Sequence, residues 1–248
     1  RGQKLTVPAP GPIWRAPVPK PPKNAPADVK QHYQQTIKTQ NLSTKGRAAI
    51  LATRQQVDQL PGGPQRLMFT AVDGSYCNRN FLRNLPANII PIARARKDIA
   101  IYEPAAKNPS GRRRIYGERL PIPEEIRQDD RYPWHTATVF GAGKSHQVKY
   151  KTVAPILWEN GTGRQPMRLI IIAPLRYRKK KNAKLLYREA AYLLCPLVDV
   201  PIEQILQYYF FRWDIEVNHR DEKSLLGVGD AQVRAAAAVA VVAVSVPN

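Results

Sequence analysis

Cysteine is nearly absent: the 248 residues contain two, Cys77 and Cys195. Neither falls in a Cys-x-x-Cys or mixed Cys/His pattern, so a disulfide framework and a thiolate metal centre gain no support. Acidic residues are also scarce, 19 against 39 lysines and arginines, and the net charge is +20 with four histidines counted as neutral. An imbalance of that size points to a polyanionic partner and says nothing about fold. Nucleic acid is the first such partner. A membrane surface is the competitor, but no basic amphipathic helix is evident and no apolar run reaches the roughly 18 to 20 residues of a span. No signal peptide opens the chain, and a cytoplasmic location, the bacterial cytoplasm or nucleoid, is expected. The first residue is Arg1 and the last lie in "VRAAAAVAVVAVSVPN", so both ends read as cuts through a longer protein.

What is present is 43% hydrophobic content, enough for a substantial core. Residues 1–27 hold a strand-like "KLTVP" and then a proline-rich stretch, "APGPIWRAPVPKPPKNAP", whose missing backbone donors favour an extended surface connection. Residues 28–97 open with two helical patterns, "DVKQHYQQTIKTQ" and "STKGRAAILATRQQVDQL", the second expected to be capped by Ser43 or Thr44. A β-type run, "RLMFTAV", ends at "DGSY"; a short helix around "RNFLRNLP" and a strand, "NIIPIARAR", follow. Residues 98–195 change to short apolar or alternating runs separated by Gly, Pro and basic loops, a β-rich block. Residues 196–248 begin with "PLVDVP" and continue as a helix from Ile202 to about Leu226, closed by Gly227 and Gly229.

On one face of that last helix, in "YYFFRWDIEVNHRDEK", a single acid, Glu216, stands among Arg212, Arg220 and Lys223. At about 100° per residue, Arg212, Glu216, Arg220 and Lys223 lie within about 60° of Tyr209, so the five share one face about 80° wide. Ile205 projects there too, while Phe210, Trp213 and Val217 form the packing edge. A solvated charged stripe, with Glu216 paired to Arg212 or Arg220 one turn away, accounts for the acid. It does not account for Tyr209 and Arg212 beside it.

Tyr209, Arg212, Glu216 and Lys223, at gaps of two, three and six residues, resemble the Tyr-Arg-Glu-Lys signature of insertion-sequence transposases with a DDE active site. The likeness continues through "RWDIEVNHRDEKSLLGVGDAQVR", "YREAAYLLC", "GRRRIYGERLP", "RARKDIAIYEP" and "VDGSYCNRNFLRNLP", most of the chain from about residue 40 onward. It implies an α/β, ribonuclease-H-like core interrupted by a β-rich insertion. It also implies cleavage and rejoining of phosphodiesters at element ends and target DNA. Such displacement uses a pair of metal ions, Mg²⁺ or Mn²⁺, which prefer hard carboxylate oxygens. By this resemblance Asp73, at the end of "LMFTAV", is the second acid of the triad and Glu216 the third, with Gly74 letting the chain turn away. Tyr209, Arg212, Arg220 and Lys223 are then DNA contacts beside the metals, Tyr209 by stacking or phosphate bonding. The structural alternative for Asp73 is an ordinary strand-end turn.

The first acid of such a triad belongs on a strand before the two helices, where only Asp28 and Asp58 are available. Asp28 reads as part of a helix cap and Asp58 as helical, so neither serves, and the strand bearing the first Asp is expected outside this chain. The core sheet is then expected to be incomplete and the chain inactive by itself. Two further basic clusters, Arg112, Arg113 and Arg114 in "GRRRIYGERL" and Arg176 to Lys184 in "RYRKKKNAK", suit backbone phosphates, with Tyr116 and Tyr177 interleaved for stacking; solvated loops are the alternative. Trp134 and Trp158 are expected to pack, and His219 has no catalytic role. A homodimer in a synaptic complex is compatible with the family, and the sequence leaves the oligomeric state open. The competing reading of another class is a non-catalytic nucleic-acid-binding protein, a decayed or domesticated derivative.

Overall fold

The computed structural model describes residues 18–106, 114–141, 143–177, 184 and 186–212. The expected "KLTVP" strand and the helix beyond residue 212 lie outside them. The chain divides into two compact units, residues 1–137 with 148–201 and residues 138–147 with 202–248.

The first unit opens with helices α1 (Ala27–Gln40) and α2 (Leu42–Asp58). Neither predicted cap of α2 holds. Asn41 is extended and its side-chain oxygen accepts from the Thr44 amide at 2.7 Å, because the cap must precede the first helical turn and Ser43 already lies inside it. Pro26 stands at the start of α1, with Asp28 within its first turn. Strand β1 (Met68–Val72) and strand β2 (Ile89–Ala95) are joined through a 3₁₀ turn (Gly74–Tyr76) and a short helix α3 (Arg79–Leu82). They pair in parallel, Met68 opposite Ile89 through Val72 opposite Ala93.

The segment from Tyr102 to Pro196 is mostly strands, with one exception. Its strands are β3 (Tyr102–Pro104), β4 (Tyr116–Arg119), β5 (His135–Gly141), β6 (Lys144–Ile156), β7 (Met167–Ile172), β8 (Arg176–Tyr177), β9 (Leu186–Tyr187) and β10 (Ala191–Pro196). The exception is a helix, α4 (Pro123–Gln128). Its signal is local: Pro123 presets the first turn, and the Glu125 carboxylate accepts from the Ile122 amide at 3.0 Å. β3 and β4 form a separate antiparallel pair, as do β8 and β9.

The main sheet has the order β1-β2-β10-β7-β6-β5. β10 is antiparallel to both β2 and β7, so the sheet is mixed and the protein mixed α/β. The central strands are mostly apolar and buried, with Arg94 of β2 and Arg168 of β7 half-buried, because both faces of the sheet are largely covered. On one face Val72, Ala93, Ala95, Leu169, Ile171 and Leu194 build a core with Phe81, Leu82, Ile101 and Ile126. Trp158 joins that core as expected. Trp134 does not; it is 37% exposed, with the Lys151 ammonium 4.7 Å from its ring centre. Lys151 itself is buried and donates to the carbonyls of Ile126 and Asp129 at 3.2 and 2.8 Å, closing the end of α4. No helix among the described residues is long and apolar enough to cross a membrane.

Within the second unit, helix α5 (Ile202–Phe210) buries Ile205, Leu206, Tyr209 and Phe210. The Gln207 carboxamide pairs with the backbone of Phe140, accepting from its amide at 2.8 Å and donating to its carbonyl at 2.7 Å. A single side chain thus occupies the place of a neighbouring strand.

Candidate functional site

Strand β1 carries the chain from exposed Leu67 to buried Val72, and the next residue, Asp73, is the first beyond the sheet. Its backbone is still extended, φ −76° and ψ 170°, and its exposed side chain makes no cap hydrogen bond. The turn that follows is braced from several sides. The Tyr76 amide donates to the Asp73 carbonyl at 3.0 Å, and the Tyr76 and Phe81 rings pack at 5.2 Å. Helix α2 presses on that ring so closely that a Cβ on Gly46 would lie 2.4 Å from it. Asn78 caps α3 and donates to Ser43 Oγ at 2.7 Å and the Ser75 carbonyl at 2.9 Å. Among the described residues nothing engages the Asp73 carboxylate, which stands on a held turn, the arrangement a ligand-binding group needs. Gly74 is not required by its backbone angle: its φ is not positive, and a Cβ there would make ordinary contact with the Arg94 carbonyl at 3.6 Å.

Two of the other acids considered for a metal are engaged. Asp58 pairs with Arg54 at 2.8 Å. Asp98 pairs with Arg96 at 2.7 Å, and that hydrogen-bonded guanidinium holds its carboxyl below the usual range. Asp28 is exposed in α1. Among the described residues no three His, Cys, Asp or Glu side chains are grouped to hold a metal ion. Asp73 offers a hard oxygen of the right chemistry at the end of β1.

On α5 the Tyr209 ring is 5% exposed, and the Arg212 guanidinium carbon lies 5.7 Å from its centre. Burial leaves no open ring face for a base to stack on, so the expected stacking role is corrected: Tyr209 backs Arg212. The cause lies in the wheel itself, since Ile205, on the same face, is buried too. Glu216, Arg220, Lys223, Arg112 and Arg113 lie outside the described residues. Arg114 is exposed just ahead of β4.

Several arginines counted toward the basic surface serve the fold instead. Arg47 donates to the carbonyls of Phe81, Arg83 and Asn84 at 2.6 to 3.0 Å. Arg54 is 2% exposed and donates to the carbonyls of Gly63 and Arg66 besides Asp58. Arg83 reaches the carbonyls of Glu159 and Gly161. No sequence pattern separates these from phosphate contacts, because an arginine's partner is set by long-range packing.

A second polar cluster was not anticipated. Glu124 accepts from Arg127 at 2.6 and 3.0 Å, from Gln128 at 2.7 Å and from the Tyr192 hydroxyl. The Arg127 guanidinium, with Tyr192 and Gln128 adding donors, holds the Glu124 carboxyl down at about 2. Burial and the carboxylate push the Tyr192 hydroxyl up to about 12. The two thiols, Cys77 and Cys195, are pushed by burial to about 12, which leaves them unreactive.

No family model matches the chain, and no curated protein and no solved structure matches it.

Proposed function

We propose that the chain is part of a DNA transposase with a ribonuclease-H-like core, acting by metal-dependent phosphodiester cleavage and strand transfer. The observation that carries this reading is Asp73: an acid with no hydrogen-bonded cap role, on a braced turn, at the carboxyl end of a parallel strand pair. The ends of parallel strands are where α/β sheets place their ligands. The parallel pairing of β1 and β2, with antiparallel strands added after β2, agrees with a core interrupted by an insertion. Resemblance supplies the rest: Glu216 as the acid on the helix, and Arg212, Arg220, Lys223 and Arg112 to Arg114 as DNA contacts.

Asp73 and Glu216 are the side chains that would hold Mg²⁺ or Mn²⁺. When bound, the metal activates the attacking oxygen and stabilises the leaving one. The chain's own part is to present carboxylates without reorganisation and to hold the DNA through cations. Charge compensation also matters, since the site combines few acids with many basic residues.

Ferrous iron replacing the metal, with ascorbate and peroxide, cuts a polypeptide next to where it binds. In the 248-residue chain the expected cuts fall beside Asp73 and beside Glu216, and both sets disappear in Asp73→Asn and in Glu216→Gln while duplex DNA binding is kept. Cuts elsewhere, or cuts indifferent to both substitutions, overturn the metal assignment. DNA binding without metal cutting would instead support the non-catalytic alternative.

A further inference from the structure

Beyond Asp73 the surface of the first unit carries a groove that neither the signature nor the basic clusters include. One part, of about 310 Å³, is lined by Arg94, Arg96, Lys97, Asp98, Glu189 and Tyr192. The adjoining part, of about 220 Å³, shares Lys97, Glu189 and Tyr192 and continues to Glu124 and Arg127. Its walls are built elements: the end of β2, the start of β10 opposite it, and the first turn of α4, whose Glu124 amide donates to the Lys97 carbonyl at 3.1 Å.

The charges in the groove are not equivalent. Arg96 is neutralised by Asp98 at 2.7 Å and Arg127 by Glu124 at 2.6 Å. The Tyr192 hydroxyl is already given to Glu124. Arg94 and Lys97 have no hydrogen bond or ion pair to their side chains among the described residues. The register also matters. Val72 lies opposite Ala93 on parallel strands, so Asp73 and Arg94 are level at the same end of the sheet.

We infer that this groove is a binding site for the phosphodiester backbone of duplex DNA, with Arg94 and Lys97 as its two phosphate contacts. Cations left unpaired at a concave surface hold condensed anions at no cost in broken ion pairs, whereas Arg96 and Arg127 would first have to leave their carboxylates. The paired residues shape the walls instead. A backbone seated here continues directly past Asp73, so the groove orients the strand on which the proposed site acts. Glu189, exposed between the two parts, limits how tightly it is held. The inference rests on the reading of the chain as DNA-binding.

The test compares salt dependence. Duplex binding by the whole chain should weaken linearly on logarithmic axes, and Arg94→Gln with Lys97→Gln should reduce the slope by about 1.8, roughly 0.9 for each lost contact. Lys20→Gln with Lys30→Gln, an equal loss of charge at exposed positions elsewhere, should leave the slope unchanged. On the unaltered chain, bound DNA should protect the Lys97 amine from acylation and leave Lys20 reactive, a readout that needs no variant to fold. An unchanged slope in the groove variant, an equal fall in the control, or a Lys97 acylated as fast with DNA as without overturns the groove. Absence of any binding at low salt brings down the DNA reading itself. An unchanged slope in the groove variant, with the slope lowered by changing Arg112 to Arg114 to alanine, removes the groove alone and keeps the DNA reading.

Discussion

Asp73 and Glu124 are carboxylates of the same unit in opposite situations. Glu124 is satisfied by Arg127, Gln128 and Tyr192, while Asp73 is exposed, with no cap bond, on a turn braced by Tyr76, Asn78 and α2. In a chain with 39 basic residues and 19 acids, most acids would be expected to find a cation. An acid on a braced turn with no partner among the described residues is therefore informative. Rigid support without local use is what a group with an external ligand requires. Full local use marks a structural role.

The comparison can be pushed from its structural extreme. Arg54 is a fully committed charge of the first unit, buried with two backbone carbonyls and Asp58 as partners. Arg54→Ala leaves those groups buried and unpaired, and denaturant unfolding should show a loss of about 3 to 5 kcal/mol. A loss below about 1 kcal/mol would mean that water replaces the guanidinium, and burial would no longer measure commitment.

Glu124→Gln comes next, at about 2 kcal/mol, because hydrogen bonds to a charged group are lost or weakened together. The pH profile sharpens it. A carboxyl lowered to about 2 from its ordinary 4.5 contributes stability that is complete above about pH 4.5 and is lost as pH falls toward 2. Thermal melts between those limits should drop more steeply for the unaltered protein than for Glu124→Gln. Parallel melting curves would show that the cluster is not held by the ionised form.

Asp73→Asn should have the smallest effect on folding, within about 0.5 kcal/mol, as for other exposed substitutions. A loss of 2 kcal/mol or more would give Asp73 a structural use and dissolve the contrast with Glu124.

Much of the scaffold around Asp73 was legible because it is written in neighbouring residues. The run "LMFTAV" before an acid and the alternating segments of the β-rich block announce strands through side-chain period and β-branching. The cap of α2 was misplaced by a few residues, since Asn41, Ser43 and Thr44 all carry capping chemistry. Helix α4 was overlooked inside a block of strands although Pro123 and Glu125 mark its first turn. Tyr209 shows the other kind of miss. A helical wheel ranks residues by angle, but which angle is buried depends on what the helix packs against.

By itself the sequence determined the basic excess, the order of elements, the strand that ends in Asp73 and the helical phase of Tyr209 and Arg212. These follow from composition and from contacts a few residues apart. Only the tertiary structure decided that β1 and β2 run parallel, that Arg47, Arg54 and Arg83 hold carbonyls of the fold, and that Arg94 and Lys97 line a groove with no partner among the described residues. The physical reason is that pairing is exclusive. A charge or a backbone carbonyl engaged by one residue is withdrawn from every other, and which residue reaches it first in space is settled by chain segments far apart in sequence.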